Sequence, residues 1–276
     1  MHLAGHPSFV RLALKFGYDG RGFHGFPRQP GQRTIEGDII EALRGLHILS
    51  DAGKPSEIGY GAASRTDAGV SAIGNVISID TGFRPQALLP ALNARLENIW
   101  FHSYAEVPDG FRPRDARLRW YRYHLRSEEA GKLPLLRKAL KLFEGTHDFN
   151  NFSRPEGKSA TRTMDKIRSR RSGPFFTVDF FARSFLWNQV RRMMAAALSA
   201  SSGKISIHGL GKALKRPAVK ADLGLAPPEP LVLMEVAYEG VDFRRDEKAI
   251  AIARRQLGRK RMEAEGTLIL ATYLSP

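Results

Sequence analysis

The sequence predicts an α+β protein of two halves, each a mostly antiparallel sheet with helices covering one face. Two observations carry this. Segments with period-two apolar alternation interleave with segments whose apolar residues recur at helical spacing, and they do so in both halves of the chain. Several alternating segments are also separated only by short runs of Gly, Pro, Asp and Ser, so that neighbours read as hairpins.

The elements follow in order. "FVRLALKFGYDG" (9–20) alternates and stops on Tyr-Asp-Gly, as a strand running into a turn does. "RTIEGDIIEALRGLHIL" (33–49) sets Ile35, Ile39, Ala42, Leu43 and Leu46 on one helical face, with Thr34 as its N-cap. "NVISID" (75–80) is a strand. "RPQALLPALNARL" (84–96) opens on Pro85, which suits the first turn of a helix. "NIWFHSYAEV" (98–107) is a third strand, ended by Pro108-Asp109-Gly110.

The second half repeats the rhythm. "LRWYRYHLR" (118–126) is strand-like and "LPLLRKALKLFEG" (133–145) a short amphipathic helix. "TMDKIRSRRSGPFFTVDFFA" (163–182) reads as a hairpin with Ser172-Gly173-Pro174 at its tip. "SFLWNQVRRMMAAALSASSG" (184–203) reads as a long buried helix ending on Gly203, and "ISIHGLGKALK" (205–215) as another. "PLVLMEVAYEG" (230–240) closes as a strand. The boundary falls near Pro108 to Arg114, which divides the chain into 1–108, 109–240 and a tail from 241 to 276 made of a basic helix and a short apolar end.

Composition narrows the function. At 276 residues, 42% hydrophobic and 26% charged, the chain has the make-up of a globular protein with a sizeable core. No apolar run approaches the roughly 20 residues a membrane helix needs. The start of the chain has no charged region followed by a smooth apolar stretch, so no secretory signal is expected. The absence of cysteine excludes disulfides, thiolate catalysis and Cys-ligated zinc, and fits a cytoplasmic location. The net charge of +15 favours a polyanionic partner, nucleic acid first and an anionic membrane surface second. Because the basic residues are spread along the chain, a folded basic cleft is expected, not a disordered arm.

No P-loop, Rossmann glycine fingerprint, HExxH or Gly-x-Ser-x-Gly is present. The eight histidines show no metal-ligand spacing, and His2 and His6 fall in an N-terminal stretch expected to be mobile. What remains is carboxylate, aromatic and arginine chemistry. "GYGAASRTDAGVSAIGNV" (59–76) surrounds Arg65 and Asp67 with small residues. Asp67 is either the side chain of an ordinary turn, bonded to backbone, or a reactive carboxylate on a tight loop with room for a flat group beside it. The second role needs a nearby cation to keep the carboxylate ionised. Arg65 supplies such a charge or meets a phosphate. Period two sets Tyr121 and Tyr123 on one face of their strand, as cleft residues or as core, with Trp120, Arg122 and His124 on the other. Arg191 stands in an apolar helix, either paired with a carboxylate or reaching water along its stem. "RTMDKIRSRR" (162–171) and "GKALKRPAVK" (211–220) are basic faces, solvated or in contact with phosphate.

Taken together these segments resemble the TruA family of tRNA pseudouridine synthases. "SRTDAGVSA" (64–72) is similar to the family's G-R-T-D-A-G-V-H-A signature, and "YDGRGFHGFPRQP" (18–30) to its Y-D-G-x-x-[YF]-x-G-[WF]-Q-x-Q segment. "RTIEGDIIEAL" resembles the helix that follows, "RWYRYHL" the R-x-Y-x-Y strand, "HDFNNFSR" (147–154) the G-x-H-D-F-x-x-F segment, and "APPEPLVLMEVAY" (226–238) the closing A-P-x-x-G-L-x-L strand. The likeness runs in collinear order over roughly residues 9 to 240. Departures are Ser71 for the usual His, Pro27 for the usual Gln before Arg28, and Pro230 for the usual Gly before Leu231.

The resemblance implies two ferredoxin-like halves whose sheets join across a central basic cleft, with helices on the outer faces. It implies Asp67 as catalytic residue and Tyr121, not Tyr123, as the active-site tyrosine. Arg191 would be the inward arginine paired with Asp67, and Leu231 an apolar wall beside the target base. Arg65, Arg28 and Gln29 would be substrate contacts. It further implies uridine isomerisation in the anticodon stem-loop of tRNA (positions 38–40), a homodimer holding tRNA across both subunits, and no metal or organic cofactor. Two other readings are a synthase acting on other uridines of structured RNA, and a tRNA-binding protein without catalysis in which the RTDAG loop is a rigid turn.

Overall fold

A computed structural model describes residues 9–157, 159–173 and 175–274. His2, His6 and Pro174 of the expected hairpin tip lie outside the described residues. The first strand, β1 (Val10–Tyr18), follows from its alternation: Leu12, Leu14, Phe16 and Tyr18 are fully buried. Arg11 and Lys15 take the opposite face, where they pair with Asp80 and Glu235. After it come α1 (Ile35–Gly45), β2 (Gly61–Ala62), β3 (Ser71–Thr81), α2 (Pro85–Arg95) and β4 (Ile99–Glu106). Thr34 caps α1 by accepting from the Gly37 N–H at 3.2 Å, and Pro85 begins α2.

The second half runs β5 (Leu118–Arg126), α3 (Leu133–Lys141), β6 (Gly145–Asp148), β7 (Thr161–Met164), β8 (Lys166–Ser172), β9 (Phe175–Ala182), α4 (Gln189–Ser201), α5 (Ile207–Lys215) and β10 (Leu231–Ala237). Then β11 (Arg244–Arg245) and α6 (Glu247–Leu274) form the tail. The architecture is α+β with a mostly antiparallel sheet, as expected. The two halves share one nine-stranded sheet in the order β11-β4-β1-β3-β10-β5-β9-β8, with β2 added on β3. They meet where β3 and β10 pair in parallel through Ser71–Val232 and Ala72–Leu233. Each of the other ladders of this sheet is antiparallel.

Several boundaries differ from expectation, each for a local reason. The helix expected from 184 starts only at Gln189, because Asn188 takes the left-handed conformation (φ 61°) and the Gln189 side chain caps the Leu186 N–H at 2.8 Å. Residues 184–188 are thereby released as loop. α3 ends at Lys141, and Gly145 (φ 95°) opens β6, which pairs with β7 in a separate two-stranded ladder. The expected hairpin therefore begins at β8, not at Thr163. In the tail, α6 runs through the apolar end, packs on α2 and β4, and leaves Met262, Leu268, Ile269, Leu270 and Tyr273 exposed. Among the described residues no helix is long and apolar enough to cross a membrane.

Candidate active site

The small-residue loop between β2 and β3 is held from three sides. Asn75, fully buried on β3, donates to the Ser64 carbonyl at 3.0 Å. The Tyr18 hydroxyl lies 2.8 Å from Thr66 Oγ1, and the Phe26 N–H donates to the Thr66 carbonyl at 3.0 Å. The turn itself is backbone-made: the Val70 N–H donates to the Asp67 carbonyl at 3.2 Å, with Gly69 at φ 83°. Neighbouring glycines permit the close packing. A Cβ on Gly20 would lie 2.1 Å from the Val70 carbonyl oxygen, and one on Gly25 3.3 Å from both Ala68 N and Thr66 O. Ser71, where the resembling family has His, accepts from the Gly20 N–H at 3.1 Å.

Because the turn needs no side-chain bond, the Asp67 carboxylate is left to face another element. Arg191, in the first turn of α4, donates from Nη1 to Asp67 Oδ2 at 2.9 Å. The same guanidinium donates from Nε to the Ala226 carbonyl at 2.8 Å and from Nη1 to Asn188 Oδ1 at 3.3 Å. The two side chains are only 12% and 17% exposed, so the pair is sheltered but reachable. Of the two readings open for Arg191, the geometry takes the pairing with a carboxylate, and the Asp67 side chain is spent on that pair, not on its own turn.

Tyr121 on β5 lies beside this pair, its ring edge-on to Phe185 with centroids 5.0 Å apart. Burial pushes its phenol up to about 12; Arg119 acts in the opposite sense and the nearby Asp67 charge adds to the rise. Tyr123 is core: it is 1% exposed and donates to the Pro227 carbonyl at 3.0 Å. Leu231, 5% exposed at the start of β10, stands opposite Tyr123 in the ladder.

A cleft of about 760 Å³ collects these groups. Asp67, Arg65, Tyr121, Arg191, Leu231 and Gln29 all line it, although they come from widely separated stretches of chain. Arg65 is exposed, with no ion pair among the described residues. Arg28 is not brought into the lining: its side chain is exposed outside the cleft, and its backbone N–H donates to Glu36 at 3.1 Å. Among the described residues no cluster of three or more His, Asp or Glu is arranged to hold a metal ion.

Sequence reasoning missed three residues. Arg119, 7% exposed, donates to Ser64 Oγ at 3.0 Å and to the carbonyls of Ala63 (2.8 Å), Arg114 (3.1 Å) and Arg183. It thus ties the root of the Asp67 loop to β5. Its signal was present, since it is the arginine of the R-x-Y-x-Y match and shares a strand face with Tyr121 and Tyr123, but strand spacing gives no hint of what that arginine will reach. Phe185 and Trp187 also line the cleft, Trp187 45% exposed with the Arg154 guanidinium 5.2 Å from its ring. Both were hidden by extending the helix back to residue 184.

A family model described as tRNA pseudouridine synthase matches residues 139–239. The chain is 40% identical over 252 residues to tRNA pseudouridine synthase A of Pyrococcus abyssi, covering 90% of this chain and 92% of that one. It is 40% identical to the Thermococcus sibiricus protein of the same name over 268 residues (96% and 99% of the two chains). The Natronomonas pharaonis protein of that name is 39% identical over 270 residues (96% and 98%). With likeness of this extent spanning both halves of the sheet, the chain belongs to the tRNA pseudouridine synthases, a family of isomerases.

Proposed function

We propose that this chain converts uridine to pseudouridine in the anticodon stem-loop of tRNA, at positions 38–40, with Asp67 as the catalytic group and no cofactor. The observation that carries the reading is the sheltered Asp67–Arg191 pair at 2.9 Å inside a cleft that also holds Tyr121 and Leu231. Substrate and product are isomers. The N1–C1′ bond breaks, the uracil turns, a C5–C1′ bond forms, C5 loses its proton and N1 gains one. No electron or atom has to be supplied from outside.

The target base leaves its stack to enter the cleft, which costs a few kcal/mol offset by contacts in the pocket. Asp67 starts the cleavage; attack on the ribose, attack on the base, and elimination through C2′ all begin at the same carboxylate. Arg191 holds that carboxylate in place, with the Ala226 and Asn188 oxygens fixing the guanidinium in turn. Tyr121 stacks on the uracil as a neutral phenol and relays the C5 proton, its oxygen accepting that proton as its hydroxyl passes its own toward N1 or water, and Leu231 forms the apolar wall. Arg65 occupies the space the base vacates or meets the backbone, and Arg28 and Gln29 contact RNA at the rim.

In this reading residues 1–108 carry the Asp67 loop and 109–240 complete the site with Tyr121, Arg191 and Leu231. Residues 241–276 are an added tail, tied to the first domain by the packing of α6 on α2 and β4. The protein works in the cytoplasm as a homodimer that holds tRNA across both subunits. Pseudouridine mapping on unmodified tRNA transcripts tests the assignment. Conversion at 38–40 that Asp67→Ala abolishes is expected; conversion elsewhere overturns the target, and conversion surviving in the variant overturns the residue.

A further inference from the structure

The strand at the far edge of the sheet carries cations that the cleft chemistry leaves unused. β8 reads KIRSRRS, and its register places Lys166, Arg168 and Arg170 opposite Phe181, Asp179 and Thr177, on the face shared with Trp120 and Arg122. All three are exposed, and none has an ion pair among the described residues. Successive members are two strand residues apart, about 6.6 Å, close to the separation of consecutive phosphates along a nucleic-acid strand.

This face is also ordered. Trp120 and Phe181 stack with centroids 5.6 Å apart, Arg122 lies 5.0 Å from the Trp120 ring, and Arg168 lies 5.7 Å from the Phe181 ring. Arg122 is consumed by Asp179, bonded at 2.7 and 3.1 Å, and Trp120 Nε1 donates to the same carboxylate. Arg168 is thus held by its aromatic neighbour with its own donors free. On the helix side of the same edge, Arg137 and Lys138 of α3 line a groove of about 620 Å³ with Lys166 and Ser169. The carboxylate in that groove, Glu144, is already bonded to Lys141 and to the Ile167 N–H. Asp165 stands only at the end of the strip.

Strand edges are commonly charged to block edge-to-edge pairing. That role does not call for an arginine laid on an aromatic ring, nor for cations on the adjoining helix. A second copy of this face is disfavoured as occupant, because it would set one basic strip against another. We propose that the β8 edge, with Arg137 and Lys138, is a second phosphate-backbone contact for tRNA, engaging a part of the molecule outside the arm held in the cleft. The strip lies three strand spacings from β10, about 14 Å, so RNA in the cleft must extend past the sheet edge to reach it. The inference rests on tRNA being the substrate.

The test uses the whole protein carrying Lys166→Gln, Arg168→Gln and Arg170→Gln together. A charge-matched control carries Arg254→Gln, Arg255→Gln and Arg259→Gln on exposed α6 positions. Binding of full-length tRNA and of an isolated anticodon arm is measured against salt concentration. Each lost phosphate contact lowers the slope of log affinity against log salt by about 0.7–0.9. The β8 triple variant is expected to lose about 2 from its slope on full-length tRNA and nothing on the isolated arm, with the α6 control unchanged on both. An unchanged slope overturns the proposal, as does an equal loss on the isolated arm or in the α6 control. Pseudouridine formation by the unaltered protein is read separately, so failure of the catalytic assignment is distinguishable from failure of this one.

Discussion

Arg191 and Asp67 stand 124 positions apart in the chain and meet at 2.9 Å, Nη1 to Oδ2, across the join between the two halves of the sheet. Substitution on the two sides should separate chemistry from positioning. Asp67→Asn keeps the shape and removes the charge. Turnover is expected to fall by more than about 10³-fold, the scale on which loss of a reacting group acts, while tRNA affinity changes little. Single-turnover assays beside filter binding measure both. Turnover within tenfold of the unaltered protein would remove Asp67 from the chemistry.

Arg191→Met leaves the sheltered carboxylate without its partner and the Ala226 carbonyl without its donor. A stability loss near the lower end of about 3–5 kcal/mol is expected, read from urea denaturation. Arg191→Lys keeps the charge but cannot span Asp67 and Ala226 as the fork does. It should recover most of the stability and little of the turnover. Full recovery of both would reduce Arg191 to a point charge.

Arg119 lines the cleft and grips the root of the loop that carries Asp67. Its guanidinium bonds Ser64 Oγ and the carbonyl oxygens of Ala63, Arg114 and Arg183, four oxygens in all. Burial lowers its pKa from the usual arginine value; arginine is a permanent cation in proteins, so the charge it brings to the loop is fixed. Arg119→Met strands those carbonyls, each unsatisfied group costing about 1–3 kcal/mol. The expected result is a large loss of stability with turnover reduced even in the folded fraction, because the Asp67 loop loses its root. Arg119→Lys should keep the fold and raise KM less than it lowers kcat. An unchanged kcat in that variant would leave Arg119 a purely structural residue.

How far the sequence spoke for itself follows from what kind of contact each residue makes. Alternation in β1 and β5 and the Thr34 cap of α1 are local signals, and they read correctly because burial and capping are decided within a few residues. The union of the halves was not legible in that way. It rests on two residue pairs, Ser71–Val232 and Ala72–Leu233, whose partners lie about 160 positions apart. Within the cleft, Asp67 and Tyr121 were legible through motif order. Phe185 and Trp187 were not, since Asn188 breaks the helix by adopting φ 61°, a conformation that no propensity pattern in the flanking apolar run announces. The short strands β6, β7 and β11 have too few residues for a period to register.

Gly20 packs directly against the backbone at the end of the Asp67 turn. A methyl group added there would sit 2.1 Å from the Val70 carbonyl oxygen, a backbone atom that cannot rotate away. Gly20→Ala is therefore expected to push the Val70 end of the Asp67 turn outward, at a cost of about 1–3 kcal/mol. Thermal unfolding should show the loss, and turnover should fall beyond what the unfolded fraction accounts for. Gly22→Ala, where an added Cβ meets nothing within 4 Å, is the matched control and should be close to neutral.

Tyr121 and Tyr123 share a strand face but differ in what surrounds their hydroxyls, so phenylalanine at each position should act differently. Tyr121→Phe retains the ring against Phe185 and removes the hydroxyl in the cleft. Assistance in proton transfer is worth about 10²–10⁴-fold, so turnover should fall by at least 10²-fold with stability nearly unchanged. Equal turnover in the variant would confine Tyr121 to stacking.

Tyr123→Phe instead removes the bond to the Pro227 carbonyl, and its signature is alkaline. Burial raises the Tyr121 and Tyr123 phenols to about 12, while an unfolded tyrosine ionises near 10. Between those values the unfolded chain has released its protons and the folded one has not. Their contribution to stability is therefore complete below pH 10 and drains away as pH rises toward 12. The unaltered protein should lose denaturation midpoint steeply over that window. Tyr123→Phe should start about 1 kcal/mol lower at pH 8, from the lost hydrogen bond, and then fall less steeply, since one of the ionising groups is gone. Parallel curves for the two proteins above pH 10 would show that Tyr123 ionises as readily folded as unfolded.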